Sequence, residues 1–373
     1  HWAQANSLYA GFPYGQWYLY GSGFIQYLSR TYGQDRLAEY FNVSGEKTLS
    51  IGLGNIFPSF GPDAAAKEVY GMSLDALYKD WVTQLKTLSA GWNVPTAPPI
   101  STSRAFSKLA LDSDSVFFLK ETMDTVGPYE TRWTSHLVRY DLSTGTSHNL
   151  TQFDTSFARI GMQKSDNALY FGLADIDDGY SNFDRSGYGQ VASLIRYDLK
   201  SGHWEIVIKA PITAFSVNSN GTIRYTTEQK GRHGVQLWTW KNGHSTPEKR
   251  IDSLISEMIP WQDKHLIVYK APLGSWNIGS LSNTGHVTPL FNTPWVESHI
   301  YRKENQIMFT SNPNGKVGLY IGNLDTLKRK RVNGPDYMEQ GRWAGNALVY
   351  TSLLPESKGL FKGSLTLQEA PTS

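Results

Sequence analysis

Leu137-Val-Arg-Tyr-Asp-Leu-Ser-Thr-Gly145 and Leu194-Ile-Arg-Tyr-Asp-Leu-Lys-Ser-Gly202 are two nearly identical stretches of the chain. Each joins a run of strand-forming residues to a turn rich in aspartate, serine and glycine. Repetition of one strand-and-turn unit is typical of an array of similar structural units, so further copies of this unit decide the fold.

Weaker copies of the same unit continue to the C-terminal end of the sequence. They lie at 237–243, 276–285, 319–325 and 360–365, and a second strand ending in an aromatic residue precedes each copy, at 116–118, 169–170, 223–225, 267–269, 307–309 and 348–350. Six copies give a mean period of about 45 residues, the length of a four-stranded propeller blade. A solenoid would need a shorter and stricter period. We therefore predict an all-β six-bladed propeller over residues 105–373, with residues 100–107 supplying a closing strand to the last copy.

The N-terminal residues follow a helical pattern instead. From Tyr20 to Leu28 the large apolar residues are spaced by three and four, which places them on one helical face. Gly21 and Gly23 interrupt this helix at a cost of about 1 kcal/mol each relative to alanine. The sequence therefore predicts that a neighbouring group comes close to the helix at this point.

A change of composition separates the two patterns. Residues 89–104 contain Pro95, Pro98 and Pro99 among small polar residues and have no period. We predict an α+β multidomain chain with a helical segment at 1–88, a proline-rich linker at 89–104 and the propeller at 105–373.

Composition excludes several kinds of function. The net charge of +2 is too small to indicate nucleic-acid binding, and no run of about 20 apolar residues predicts a membrane span. Cysteine is absent, which excludes disulfides, thiolate metal sites and a cysteine nucleophile.

Tyr20 stands three residues before the glycine-aromatic pair Gly23-Phe24, and Leu28 and the pair Tyr32-Gly33 follow. In this order of residues the first 88 residues resemble the segment that follows the zinc site in gluzincin metallopeptidases, the aminopeptidase N-like and peptidase MA group. The resemblance continues through a short helix ending at Gly71 and a helix that carries Trp81. It covers this part of the chain only.

The resemblance implies a catalytic role for Tyr20. In gluzincins the matching hydroxyl donates a hydrogen bond to the oxyanion of the tetrahedral intermediate and supplements the zinc ion. The alternative is a packing tyrosine, and Tyr14 and Tyr18 are substitutes if the register differs. None of the nine histidines begins an HExxH motif, so this chain is expected to hold no metal ligand or cofactor. Zinc is implied for a missing N-terminal portion, and this chain alone is expected not to be catalytic.

The repeated RYDLSTG and RYDLKSG units resemble the blades of TolB-like propellers, although the usual S-P-D-G turn is degenerate here. Two functions follow as expectations. In the first, the chain is the C-terminal fragment of an exported zinc metallopeptidase, and its propeller binds a peptide or protein substrate or the N-terminal fragment. In the second, it is a non-enzymatic scaffold that binds another protein of the cell envelope. Either implies a periplasmic, outer-membrane-associated or secreted protein.

Other candidate sites are weaker. The loop from Asp175 to Asp184 is rich in carboxylates, but Tyr180 and Ser186 stand where an EF-hand needs glycine and glutamate, so a solvated insertion is expected and a looser calcium site is the alternative. Four histidines, spread through different strands and turns, are expected to be structural or exposed: His233, His244, His265 and His286. Five tryptophans could stack on a ligand at the propeller mouth or fill blade cores: Trp238, Trp240, Trp261, Trp276 and Trp295.

Overall fold

The structure is a computed structural model in which the chain divides into two compact units, with the division between Asn93 and Val94. It describes residues 16–48, 61–127, 130–176, 190–228, 233–271, 274–291, 293–354 and 357–370. The predicted helical segment and the six-bladed propeller that follows it are both confirmed. Among the described residues, no helix is both long enough and apolar enough to cross a bilayer.

The first unit contains four described helices around an aromatic core. They are α1 (Gln16–Tyr32), α2 (Gln34–Thr48), α3 (Pro62–Tyr70) and α4 (Leu74–Ser89). Gly33 and Gly71 have φ angles of 93° and 73°, so glycine ends α1 and α3 in the left-handed conformation. Ser73 begins α4 by accepting a hydrogen bond from the Ala76 amide at 3.2 Å.

Of the two glycines of α1 at which a close approach was predicted, Gly23 has a side chain of α4 beside it, whereas a Cβ atom on Gly21 would meet no neighbouring atom of the described residues within 4 Å. A Cβ atom on Gly23 would lie 3.1 Å from Cζ2 of Trp81. The Trp81 ring packs at 5.6 Å from that of Phe24, and both are buried. Gly23 therefore lets the indole lie against the α1 backbone, which explains why a poor helix former occupies this position.

Six antiparallel sheets form the second unit, and their strands follow the chain in order. The first three blades are β2 (Ala110–Asp112), β3 (Ser115–Gly127), β4 (Glu130–Asp141) and β5 (Ser147–Phe153); β6 (Phe157–Ser165), β7 (Ala168–Ile176), β8 (Gln190–Asp198) and β9 (Trp204–Ala210); and β10 (Ile212–Val217), β11 (Ile223–Glu228), β12 (Val235–Lys241) and β13 (His244–Ile251). The fourth and fifth blades are β14 (Leu254–Trp261), β15 (Lys264–Lys270), β16 (Trp276–Leu281) and β17 (Val287–Phe291); and β18 (Glu297–Lys303), β19 (Gln306–Ser311), β20 (Gly318–Asn323) and β21 (Arg329–Val332).

The sixth blade takes its outer strand from the N-terminal part of the second unit, far from its other strands in the sequence. It contains β22 (Glu339–Ala344), β23 (Ala347–Leu353) and β24 (Lys358–Ser364), and β1 (Ser101–Ser103) pairs with β24. The predicted closing strand is thus present. A last strand, β25 (Leu367–Glu369), does not extend the sixth blade but pairs with β21 of the fifth.

The repeated turns have one local cause. The Asp141 carboxylate accepts hydrogen bonds from the amides of Ser143 and Thr144, and Asp198 and Asn323 cap their own turns in the same way. The Ser143 hydroxyl donates to the same Asp141 oxygen, and this bond together with the amide bonds lowers the pKa of Asp141 to about 2. Gly145 follows with a φ of 74°, so the aspartate-to-glycine pattern in the sequence is a side-chain-capped turn.

The first strand of each blade is the innermost one, and these six strands contact one another around a central channel. All six begin at one face of the propeller, called here the loop face, and end at the other, called the turn face. In five blades the pairing register of the innermost strand shifts, at Ala158/Met162, Ile212/Ala214, Ile255/Glu257, Ser298/Tyr301 and Glu339/Arg342. Such bulges redirect side chains, here around the channel.

Candidate functional site: the central channel

A cavity of about 210 Å³ occupies the channel. It reaches the last residues of the innermost strands and therefore lies toward the turn face. Its charged lining residues are Lys108, Lys164, Glu257, Arg302 and Arg342. A concave site with a few convergent polar groups is the usual place for a ligand.

An ion pair crosses the channel beside this cavity. Lys108 precedes the first blade and Glu257 belongs to the fourth, on the opposite side of the ring, and their side chains meet at 2.9 Å. The Glu257 carboxylate also accepts hydrogen bonds from the amides of His299 and Ile300 at 2.6 and 2.9 Å. Burial alone would raise the pKa of Glu257, but the charge of Lys108 and these donors hold that pKa below its usual value.

A second bridge across the channel is neutral. The Gln163 amide nitrogen donates to the carbonyls of Phe215 and Met258 at 2.6 and 2.8 Å, and its oxygen accepts from the Val217 amide at 3.1 Å. One side chain of the second blade thus joins the third and fourth blades. Together with the ion pair, this bridge links side chains of different blades beside the cavity.

The ionic network continues toward the loop face. His299 has a φ of 56° at the bulge of its strand, and its Nε2 lies 3.7 Å from the Glu339 carboxylate. Glu339 pairs with Lys358 at 2.7 Å. Burial lowers the pKa of His299 despite the neighbouring carboxylates. His299 therefore contacts two carboxylates, Glu257 through its amide and Glu339 through its imidazole, and each carboxylate also has a lysine partner.

Two arginines of the cavity are bound differently. Arg342 donates from Nε to the Leu109 carbonyl and from Nη1 to the Gly341 carbonyl, both at 2.8 Å. Arg302 donates to the carbonyls of Pro260 and Glu304 at 3.1 and 2.8 Å. Within the described part of the chain neither guanidinium lies within 4.0 Å of a carboxylate. Neither guanidinium therefore has a direct ion-pair partner beside the cavity, although the charge of Glu257 acts on Arg342 from a longer distance.

Another polar cluster, in which Arg224 and His265 are buried, joins the third and fourth blades. Arg224 forms a two-contact ion pair with Glu248 and donates to Asn283 at 3.1 Å. Its Nη1 also lies 3.3 Å from Nδ1 of His265. Burial and the charge of Arg224 lower the pKa of His265 to about 4, so the imidazole is neutral at pH 7 and accepts this hydrogen bond through Nδ1.

Glu297 is a fully buried carboxyl outside the cavity. It accepts hydrogen bonds from the Thr293 hydroxyl at 3.0 Å and the Ile278 amide at 3.3 Å, and Arg329 lies 3.7 Å away. Burial raises its pKa to about 7 despite these contacts. Because the folded-state pKa exceeds the unfolded value, the stabilisation is complete below about pH 4.5 and is lost as the pH rises through 7.

Replacing Glu297 by glutamine tests this pKa. We expect the wild-type chain to lose about 2 kcal/mol of unfolding free energy relative to Glu297→Gln between pH 5 and pH 7, because the glutamine stays neutral. Urea unfolding at the two pH values measures the difference. A matched variant, Glu205→Gln at an exposed position, keeps Glu297, so its unfolding free energy should fall in parallel with that of wild type between the two pH values. Parallel pH profiles for wild type and Glu297→Gln would contradict a raised pKa.

The structure treats the sequence-predicted residues unequally. Tyr20 lies in α1, but its side chain is outside the described residues, and Tyr14 and the loop residues 177–184 also lie outside them. The catalytic role of Tyr20 and the calcium alternative therefore stay predictions. No group of three or more histidine, aspartate or glutamate residues within the described ranges could hold a metal ion.

The predicted histidines and tryptophans take mainly structural positions. His233, His244 and His286 are exposed, and His265 is buried. Trp261 lies in a blade core, and three more tryptophans pack against blade cores: Trp238, Trp240 and Trp276. Trp295 is partly exposed and lies 5.0 Å from the Arg329 guanidinium. None of the five belongs to the cavity lining.

No family model matches the chain, and no curated protein matches it. Among solved structures it is similar to the tricorn protease, at 11% identity and a TM-score of 0.49, covering 74% of this chain and 27% of that one. It is also similar to TolB from Acinetobacter baumannii, at 11% identity and a TM-score of 0.42, covering 63% of this chain and 61% of that one. A putative TolB from Agrobacterium tumefaciens is similar at 8% identity and a TM-score of 0.46, covering 70% of this chain and 90% of that one. The chain thus spans about a quarter of the tricorn protease. Likeness at this level carries no conclusion about activity.

Proposed function

We propose that this chain is the ligand-binding part of an exported zinc metallopeptidase, with the propeller channel as its platform for a peptide or protein. One observation supports the binding platform most directly: the channel retains a cavity of about 210 Å³ toward the turn face, lined by both charged and apolar side chains. The zinc ligands would come from an N-terminal portion, which Tyr20 would complete. A periplasmic, outer-membrane-associated or secreted location belongs to the same proposal.

The bridges across the channel decide how a ligand would be held. We propose that Lys108–Glu257 and Gln163, which join side chains of different blades, close the middle of the channel, so that a chain segment would enter from the turn face and stop. The propeller would then act as a recessed receptor and not as a tunnel through which a substrate passes. The same geometry serves the second candidate, a non-enzymatic envelope scaffold, equally well.

Blocking the cavity tests the platform. Peptides selected on the full chain by phage display should lose binding to Leu111→Trp, because Leu111 lines the cavity and the indole would obstruct it. They should bind normally to Leu367→Trp, which changes an exposed residue of β25. Urea midpoints close to wild type would establish that both variants fold. Undiminished binding to folded Leu111→Trp would place the ligand elsewhere.

The peptidase and the scaffold proposals predict different masses and zinc contents for the protein purified from its natural source. Native mass spectrometry and zinc analysis should find a co-purifying N-terminal portion with about one zinc ion if the peptidase proposal is right. A single zinc-free species that still binds peptides would favour the scaffold. Zinc-dependent peptide hydrolysis by a pure preparation of these residues alone would contradict both.

A further inference from the structure

The charges around the cavity do not balance. Four cationic side chains line it, Lys108, Lys164, Arg302 and Arg342, against one carboxylate, Glu257. Lys108 forms an ion pair with Glu257, and Lys164 forms one at 3.1 Å with Asp112, which does not line the cavity.

The two remaining cations are fixed in position. Arg342 is 4% exposed, and its guanidinium lies 4.7 Å from the centre of the Tyr301 ring, while the carbonyls of Leu109 and Gly341 hold Nε and Nη1. Two carbonyls hold Arg302 in the same manner. Burial lowers the pKa of Arg342 to about 10, so the side chain is still charged at pH 7. A buried cation without a direct ion-pair partner is costly, because the longer-range charge of Glu257 compensates it only in part, and an anion in the cavity would lower that cost.

We infer that the cavity binds a carboxylate group, with Arg302 and Arg342 as its cationic partners. The planar guanidinium donates in the geometry that a carboxylate accepts. Tyr301 also lines the cavity, and burial raises the pKa of its phenol, so this group remains a potential hydrogen-bond donor. The inference deepens the proposed function, on which it rests: the bound segment would be recognised through a terminal or side-chain carboxylate.

Calorimetric titration of the full chain separates the sources of a carboxylate. The probes are sodium glutarate, inorganic phosphate, and acetyl-trialanine as the free acid and as the amide. We expect the acid peptide to bind at least tenfold more tightly than the amide, and phosphate to bind more weakly than glutarate. Tight binding of glutarate but not of the acid peptide would make the ligand a small carboxylic acid and overturn recognition of a peptide terminus.

Variants connect this binding to the two arginines. Arg302→Gln should lower the affinity for the acid peptide at least tenfold. The charge-retaining variants Arg302→Lys and Arg342→Lys should lower that affinity less. Arg250→Gln, at an exposed arginine outside the channel, should bind as wild type does. Because Arg302 is only partly buried, its variants test the idea even if changes at Arg342 impair folding.

The outcomes distinguish this inference from the proposed function. If Leu111→Trp abolishes peptide binding while acid and amide peptides bind alike, the platform stands and the carboxylate inference is wrong. Equal affinity for phosphate and glutarate would also overturn it, since the site would then be a general anion site. If glutarate binds through Arg302 while no selected peptide depends on the cavity, the peptide platform fails and only a small-acid site remains.

Discussion

Glu257→Ala is expected to lower the free energy of unfolding by about 3–5 kcal/mol, the largest effect of any substitution considered. The change removes the partner of a partly buried Lys108 and leaves the amides of His299 and Ile300 without their acceptor. Each buried donor without a partner costs about 1–3 kcal/mol. Urea unfolding at pH 7, followed by tryptophan fluorescence, measures the loss.

A second pair of variants identifies the cause. Lys108→Met combined with Glu257→Met removes both charges, and we expect this double variant to be more stable than Glu257→Ala because no buried ion remains unpaired. Glu205→Ala, at an exposed ion pair with Arg196, should cost less than about 1 kcal/mol. A loss of that small size for Glu257→Ala as well would mean that the cross-channel ion pair does not stabilise the ring.

Acidification from pH 6.5 to pH 4 should cost the wild-type chain about 3 kcal/mol more than His265→Asn. The pKa of His265 is about 4 in the folded chain and near 6.5 in the unfolded chain. The unfolded state therefore takes up a proton first, and the stabilisation present above pH 6.5 is lost as the pH falls through 4. Asparagine keeps an acceptor for Arg224 and does not titrate, so its unfolding free energy should depend less on pH.

An exposed histidine provides the control for this measurement. His286→Asn should follow the wild-type profile, because His286 is exposed. Unfolding free energies of wild type and His265→Asn that fall in parallel between pH 6.5 and pH 4 would show that His265 titrates normally and that the cluster with Arg224 is open to water.

The propeller could be predicted from the sequence because its signals are local. Asp141 and Gly145 belong to one turn, and the bonds that hold this turn join residues two or three positions apart. A repeated pattern of such turns reports the number of blades directly. The closing strand could also be predicted, since an unassigned strand next to residue 100 had to pair with the last blade.

The channel could not be predicted from the sequence for a related reason. Lys108 and Glu257 meet only because the ring brings opposite blades together. Neither residue stands in a motif, and Arg302 and Arg342 look like ordinary strand residues. The one available signal is weak: charged residues interrupt the strands that become innermost. The sequence instead indicates five tryptophans as candidate ligand contacts, but four of them lie in or pack against blade cores.

The pairing of β1 with β24 also has a consequence for biosynthesis. Ser101 and Leu360 are partners although about 260 residues separate them, so this contact is among the last that a growing chain can make. Until β24 leaves the ribosome, β1 has no mate and the earlier blades form an open arc. β1 is only three residues long, Ser-Thr-Ser. Such a short, polar edge strand is a poor template for pairing with strands of other chains before β24 is available.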